Sequence, residues 1–432
     1  MIHIVPTQPG AWHGHRRSFL GVCLLLPLLL LSLASCGLQS SNNTGGKISL
    51  TLWYWNNSID DNVIKAVSQH FPNIVLNAQK ISDYDTKVRT SMAGHHDVPD
   101  IMGINANIST YFPDEDQFVD LRQLGADQVK SQYLGWKWNL GIAPDGKQIG
   151  FPMDTGPTAL FYRPDIFAQA GLPTDPQAVA ARIKTWDDYL QAGVQLKAAT
   201  HGKSYMIDST NTIFTQMMAQ SPTLFFDRAN HYLGDQAHIR QMWNEAVKAN
   251  TLGVTAKVQS STQAWNEAVS NGLIASFAGA VWMKQSLEQS APNTAGKWRV
   301  APAPGGAGNN GGSFLAVTTA CQYPKEAFAV IQWLQSPANQ LLGYKDLQLF
   351  PSAISDLNNP GMHQPEAFFG REDTTTIFAQ SARQVPLSYY GPENDIVGGA
   401  FTDQLNLVEF QKKNPDQAWN TAQQEAQREL LR

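Results

Sequence analysis

From Ile48 to Tyr54 apolar and polar positions alternate, with Ile48, Leu50, Leu52 and Tyr54 on one side and Ser49, Thr51 and Trp53 on the other. Trp55 continues the second row. A period of two predicts a strand. Ser58 with Asp61 three residues on reads as a capping-box-like helix start, and Val63, Ile64, Val67 and Phe71 follow at helical spacing. Ile74, Val75 and Leu76 predict a second strand, residues 82–92 a second helix and residues 101–104 a third strand. This order implies parallel pairing through right-handed crossovers.

The same grammar recurs downstream. Residues 159–163 predict a strand, after which Pro164 and Asp165 open a helix that Gly171 stops. Thr185 and Asp188 form a capping-box pattern ahead of a helix reaching Leu196, and Tyr205, Met206 and Ile207 predict a strand. Helical patterns follow at 239–247 and 262–269, and strand patterns at 273–277, 299–301 and 314–317. Tyr323-Pro324-Lys325-Glu326 opens a helix with Phe328, Ile331 and Leu334 on one face, and residues 416–431 are helical and amphipathic. The chain shows no internal repeat. Its fold class is α/β, and 432 residues exceed what one hydrophobic core usually organises, so two lobes are expected.

The first 46 residues follow another logic. Arg16 and Arg17 precede an apolar, leucine-rich run from Phe19 to Leu33, too short for a comfortable membrane span. Leu33-Ala34-Ser35-Cys36 then reads as a lipobox, which makes residues 1–35 a lipoprotein signal peptide and Cys36 the lipidation site. Residues around the arginine pair also resemble a twin-arginine export motif. Residues 36–46 carry the lipidated cysteine and a small, polar, flexible tether. The expected address is therefore extracytoplasmic, on the outer face of the bacterial cell membrane.

Composition narrows the function. The formal charge is −5, and the leader contributes two arginines and no acid, so the remainder is more acidic still. That argues against a nucleic-acid partner, which needs clustered Lys and Arg. Of three cysteines, Cys23 lies in the leader and Cys36 is the lipid site, which leaves Cys321 without a partner for a disulfide. Twelve tryptophans, all but Trp12 beyond the leader, exceed what packing obviously requires.

In open parallel sheets ligands bind beyond the carboxyl ends of strands. That rule selects Trp53-Tyr54-Trp55-Asn56-Asn57 and Asn105-Ala106-Asn107. Flat aromatic faces beside amides suit a polyhydroxylated ligand, whose C–H faces stack while its hydroxyls exchange hydrogen bonds. Alternation buries one of Trp53 and Tyr54 as ordinary core. Enzyme signatures are weak. Residues 306–311 match GxGxxG, but a strand follows rather than a helix, so this is no dinucleotide site. His95-His96-Asp97 and Asp114-Glu115-Asp116 read as solvated turns, without metal-ligand spacing. No GxSxG, HExxH or Walker loop occurs. Tyr389-Tyr390 fits a cleft wall or packing better than an iron site. Neither a metal nor a cofactor is predicted.

Together these residues resemble family 1 extracellular solute-binding proteins, the carbohydrate-binding relatives of maltose-binding protein. The resemblance spans most of the chain beyond the leader. It rests on Val98-Pro99-Asp100-Ile101, on Gly150-Phe151-Pro152-Met153 through Ala159-Leu160-Phe161-Tyr162-Arg163, on Gly171-Leu172-Pro173 and on Thr185-Trp186-Asp187-Asp188-Tyr189. Ala278-Gly279-Ala280-Val281-Trp282 and residues 299–306 with Gly311-Gly312-Ser313 add to it. It implies two lobes joined by three hinge crossings, near 153–157, 298–303 and 334–337. Lobe 1 would comprise 47–154 plus 302–335, and lobe 2 155–301 plus 336–432. By position it implies ligand contacts from Trp55, Asn56, Asn107, Asp154, Trp282, Gly312 and Tyr390. A sugar or oligosaccharide would be held between closing lobes and passed to an ABC transporter permease. Arg163 stands where the family usually has asparagine, and Gly103-Ile104-Asn105 lacks the aromatic of maltose binders. A surface-anchored glycoside hydrolase and a binder of iron or polyamine are the alternative readings.

Overall fold

The computed structural model describes residues 46–432. The leader and Cys36 lie outside the described residues, as does the tether up to residue 45.

Ten strands form two main sheets and a small ladder: β1 (Ile48–Tyr54), β2 (Ile74–Lys80), β3 (Ile101–Ile104), β4 (Phe151–Pro152), β5 (Asp154–Thr155), β6 (Thr158–Tyr162), β7 (Ser276–Ala280), β8 (Arg299–Ala301), β9 (Phe314–Val317) and β10 (Phe350–Pro351). The first sheet has the order β2-β1-β3-β9-β4. β1 runs parallel to β2, from Ile48 opposite Ile74 to Tyr54 opposite Lys80, and parallel to β3. The alternation read in β1 thus puts Leu50 and Leu52 into the core under helices Asp61–His70 and Pro324–Leu334.

Among the ten strands, parallel pairing ends there. β9 is antiparallel to both β3 and β4, and the second sheet, β7-β6-β8, is antiparallel throughout. The expected recurrence of parallel units fails because neither β9 nor β7 is reached by a short βαβ crossover. β9 arrives from the other lobe and β7 follows a long helical excursion, so the handedness rule does not fix their direction. Tyr205 and Ile207 form isolated parallel bridges to Ile274 and Thr255 rather than a strand.

β6 is buried on both faces. Leu160 and Tyr162 join a core with Trp186, Tyr189, Trp243 and Phe401, while Ala159 and Phe161 join one with Trp265, Phe277, Trp298 and Phe378. A continuous apolar run, without alternation, is what such a strand requires. Among the described residues eight tryptophans are buried in the core, so their abundance is mostly packing.

The chain passes between the lobes three times. The first passage is β4–β5–β6, and the second is residues 302–313, between β8 and β9. Because Arg299–Ala301 pairs with β6, this passage begins after the strand rather than at 298. The third follows helix Pro324–Leu334 into helix Pro337–Leu347, after which β10 pairs antiparallel with β5. At the first passage Gly156 N donates to Asn309 Oδ1 (2.8 Å), and a Cβ on Gly156 would collide with the Asn310 carbonyl.

Helix starts show how local signals fared. The Thr185–Asp188 capping box forms with both reciprocal bonds. The Ser58–Asp61 pattern does not. Asp60 caps that helix through Asn62 N and Val63 N, and Ser58 Oγ donates to the Trp55 carbonyl, closing the preceding turn. Asp60 outcompetes because its carboxylate accepts from helix-terminal amides, which favour negative charge.

Candidate functional site

A cleft of about 600 Å³ lies between the lobes. On one side, Asn105 to Ser109 follow β3 directly, as the strand-end rule requires, and Lys137, Leu140 and Phe314 continue the wall. On the other, helix Thr210–Ala219 supplies Phe214, Thr215 and Met218, and the start of helix Asn394–Gln411 supplies Asn394 and Asp395, next to Tyr390. Asn309, Asn310 and Gly311 of the second passage complete the lining. The glycine-rich stretch rejected as a nucleotide loop is therefore a crossing segment, where Gly308 lies so close to helix Thr210–Ala219 that a Cβ would be 3.0 Å from the Ala219 carbonyl. At the edge of the cleft the lobes touch, with Ser109 Oγ donating to the Gly391 carbonyl at 3.2 Å and Tyr389 packing against cores on both sides. A second cavity, beside the first passage and lined by Ser58, Asp60 and Gln340, has about 30 Å³ and takes no more than water.

The predicted residues divide. Asn107 and Tyr390 line the cleft. Asp154 and Gly312 sit together beside Lys137. Asp154 Oδ1 accepts from Ser313 N at 2.8 Å, and a Cβ on Gly312, whose φ is +90°, would be 2.6 Å from the Asp154 carbonyl and 3.0 Å from Lys137 Nζ. Only glycine adopts that backbone there without strain. Trp282 is 43% exposed and donates from Nε1 to the Asn310 carbonyl at 3.0 Å, which holds the indole against the crossing loop. Asp154, Gly312, Trp282, Trp55 and Asn56 are not among the lining residues. Trp55 packs over Gly103 and stands 5.0 Å from the Tyr84 ring, and Asn56 is an exposed turn residue.

Lys137 and Asn394 were not singled out from the sequence. Lys137 lies between Trp136 and Trp138 on helix Gly135–Leu140, and a lysine flanked by two tryptophans was the available signal. It is 1% exposed, and its Nζ lies 3.4 Å from the centroid of the Phe314 ring. Burial pulls its pKa down to about 7, opposed by the charge of Asp154. Burial likewise raises Asp154, against the pull of Lys137 and the Ser313 amide. The Tyr390 hydroxyl is pushed up to about 12 by burial and by Asp395, so it stays a neutral donor and acceptor at neutral pH.

His95 closes helix Tyr84–Gly94 in a left-handed conformation, and His96 pairs with Asp97 at the surface. Among the described residues, no group of three or more His, Cys, Asp or Glu is placed to hold a metal ion, and no helix is long and apolar enough to cross a membrane.

Comparison with known proteins places this geometry. The family described as bacterial extracellular solute-binding protein matches residues 56–341. A lactose-binding protein of Rhizobium radiobacter is 26% identical over 374 residues, covering 79% of this chain and 84% of the relative. An arabinooligosaccharide-binding protein of Halalkalibacterium halodurans is 25% identical over 401 residues, covering 86% and 83%. A crystal structure described as an extracellular solute-binding protein of family 1 superposes with a TM-score of 0.85 at 30% identity, covering 88% of this chain and 99% of that one.

Proposed function

Because the chain belongs to the bacterial extracellular solute-binding proteins, we propose that it captures a sugar or short oligosaccharide between its lobes and delivers it to an ABC transporter permease. The observation that carries this reading is the two-sided cleft. Amides and aromatics from both lobes, Asn107 and Tyr390 among them, face one space of about 600 Å³, within the range of small-molecule sites. Amides both donate and accept, which hydroxyl-rich ligands need, and the sugar ligands named for the two relatives agree with it.

The binding mechanism is closure. A ligand shifts an open–closed equilibrium only through contacts made better in the closed form, so both lobes must touch it. Three crossings allow two rigid bodies, one on each sheet, to rotate about a few backbone dihedrals. Asp154, Trp282 and Gly312 sit at or beside these crossings and would sense closure, with Trp55 and Asn56 at the outer end of β1 extending the site for a longer ligand.

Intrinsic fluorescence of the purified protein, titrated with lactose, galactobiose and arabino-oligosaccharides, tests this reading. At least one sugar is expected to change the emission, raise the melting temperature by mass action and shrink the radius of gyration in small-angle scattering. An unchanged radius at saturation removes the closure mechanism, and turnover of the sugar in the same solution establishes a hydrolase instead.

We also propose that the protein is held at the outer face of the cell membrane by lipid on Cys36. Replacing Cys36 by Ala is expected to release the protein from the membrane fraction or leave its leader uncleaved, because each buried CH₂ of the acyl chains contributes about 0.8 kcal/mol of anchoring. Full retention with normal leader removal would count against it.

A further inference from the structure

Two polar atoms of the cleft lack partners. Among the described residues Lys137 Nζ makes no hydrogen bond or ion pair, although its side chain is almost wholly buried and lines the cleft. The Asp154 carboxylate is near enough to act on its charge, yet its Oδ1 is taken by Ser313 N. On the opposite lobe, Asn394 is 6% exposed and its Oδ1 is buried without a donor. The buried amide oxygen costs free energy while it is unpaired, and the ammonium at the cleft wall has a ring and a neighbouring charge beside it but no hydrogen-bond acceptor, so both mark places where a ligand atom belongs. One offers only donors and the other an unmet acceptor.

We propose that Lys137 and Asn394 are the two polar anchors of the cleft, one from each lobe, and that they select an uncharged sugar. Lys137 donates to a hydroxyl or ring oxygen, and Asn394 Oδ1 accepts from a second hydroxyl, so only the closed form satisfies both. The proposal rests on the sugar-binding reading above and deepens it. Hydroxyls both donate and accept, which matches the pairing of a donor-only with an acceptor site. Charge disfavours acidic sugars: a ligand carboxylate or phosphate gaining the one ammonium would add a negative charge near Asp154, beside Lys137, and Asp395, beside Asn394, where burial already works against negative charge.

The lysine supplies a signature that packing alone does not. The charged group acting on it is Asp154 from β5; Phe314 offers only its ring, helix Gly135–Leu140 carries no second charge, and the titratable groups that line the opposite wall of the cleft are Asp395 and Tyr390. With its pKa pulled down to about 7, much of the ammonium is lost in the free protein by pH 8. A ligand oxygen that accepts from the charged form raises that pKa. Binding at pH 8 therefore takes up protons, and affinity falls as pH rises through and above 7.

The experiment uses the tightest-binding neutral sugar of the panel, and calorimetry at pH 8 in two buffers of different ionisation enthalpy. The wild type is expected to take up a measurable fraction of a proton. Lys137→Met is expected to lose that uptake and at least tenfold in affinity, and Asn394→Ala several-fold, with melting temperatures near wild type. If Lys137→Met does not fold, wild-type proton uptake and the Asn394→Ala affinity decide. Unchanged affinity in the folded variants, absence of proton uptake by the wild type, or tighter binding of lactobionate or digalacturonate than of the neutral sugar overturns the proposal. Each of these leaves the sugar-binding reading standing. A wild type that binds no sugar overturns both.

Discussion

Replacing Trp243 by Ala is expected to destabilise the protein by about 3–5 kcal/mol, the usual range for removing a large aromatic from a close-packed core. Trp243 is fully buried on helix Ala237–Leu252, 5.5 Å from the Trp419 ring and 6.2 Å from Phe401, both edge-on. Those neighbours come from helices Asn394–Gln411 and Pro415–Glu429, which pack as a rigid pair and cannot collapse into the space left behind. Its indole N–H is buried without an acceptor. Trp243→Phe is therefore expected to cost far less, because it deletes the orphaned donor while keeping most of the ring. The midpoints of urea unfolding for both variants check this, and equal losses would show that the N–H has a partner.

Trp282→Ala is expected to do the reverse. Affinity for the sugar should fall by about 1–3 kcal/mol, the scale of an aromatic anchor, with little change in stability. The indole keeps nearly half its surface open while Nε1 is tied to the Asn310 carbonyl, next to lining residue Gly311. With its N–H already committed, the exposed part of the ring is the surface that the C–H face of a sugar would meet. Fluorescence titration beside thermal unfolding separates the outcomes. A lowered melting temperature with unchanged affinity would make Trp282 a structural contact of the 309–311 loop.

The contrast between these two tryptophans marks where sequence reading stops. Both sit in helical or strand-end segments, and nothing local distinguishes them. Helix Asn394–Gln411, which carries Asn394 and Asp395 to the cleft, went unread because Gly398 and Gly399 break its apolar pattern and its apolar positions are buried from several sides. Lys137 went unread as a site residue because a lysine ordinarily signals a solvated face. Asn107, reached by the strand-end rule, and Tyr390, reached by resemblance, both line the cleft.

By itself the sequence determined the elements whose signals are local. The alternation of β1, the capping box at Thr185 and the parallel β1–β2–β3 unit follow from side-chain period, cap chemistry and the handedness of short crossovers. The amide and aromatic character of the strand-end loops was also fixed there. Tertiary structure alone decided the direction of β9 and of the second sheet, which tryptophans are core, and that Lys137 faces the cleft. Those outcomes depend on contacts between residues far apart in the chain, such as Ser109 with Gly391 and the Trp136 indole with the Ala382 carbonyl. No periodicity encodes such pairings, because burial and strand direction are settled by what the rest of the chain brings alongside.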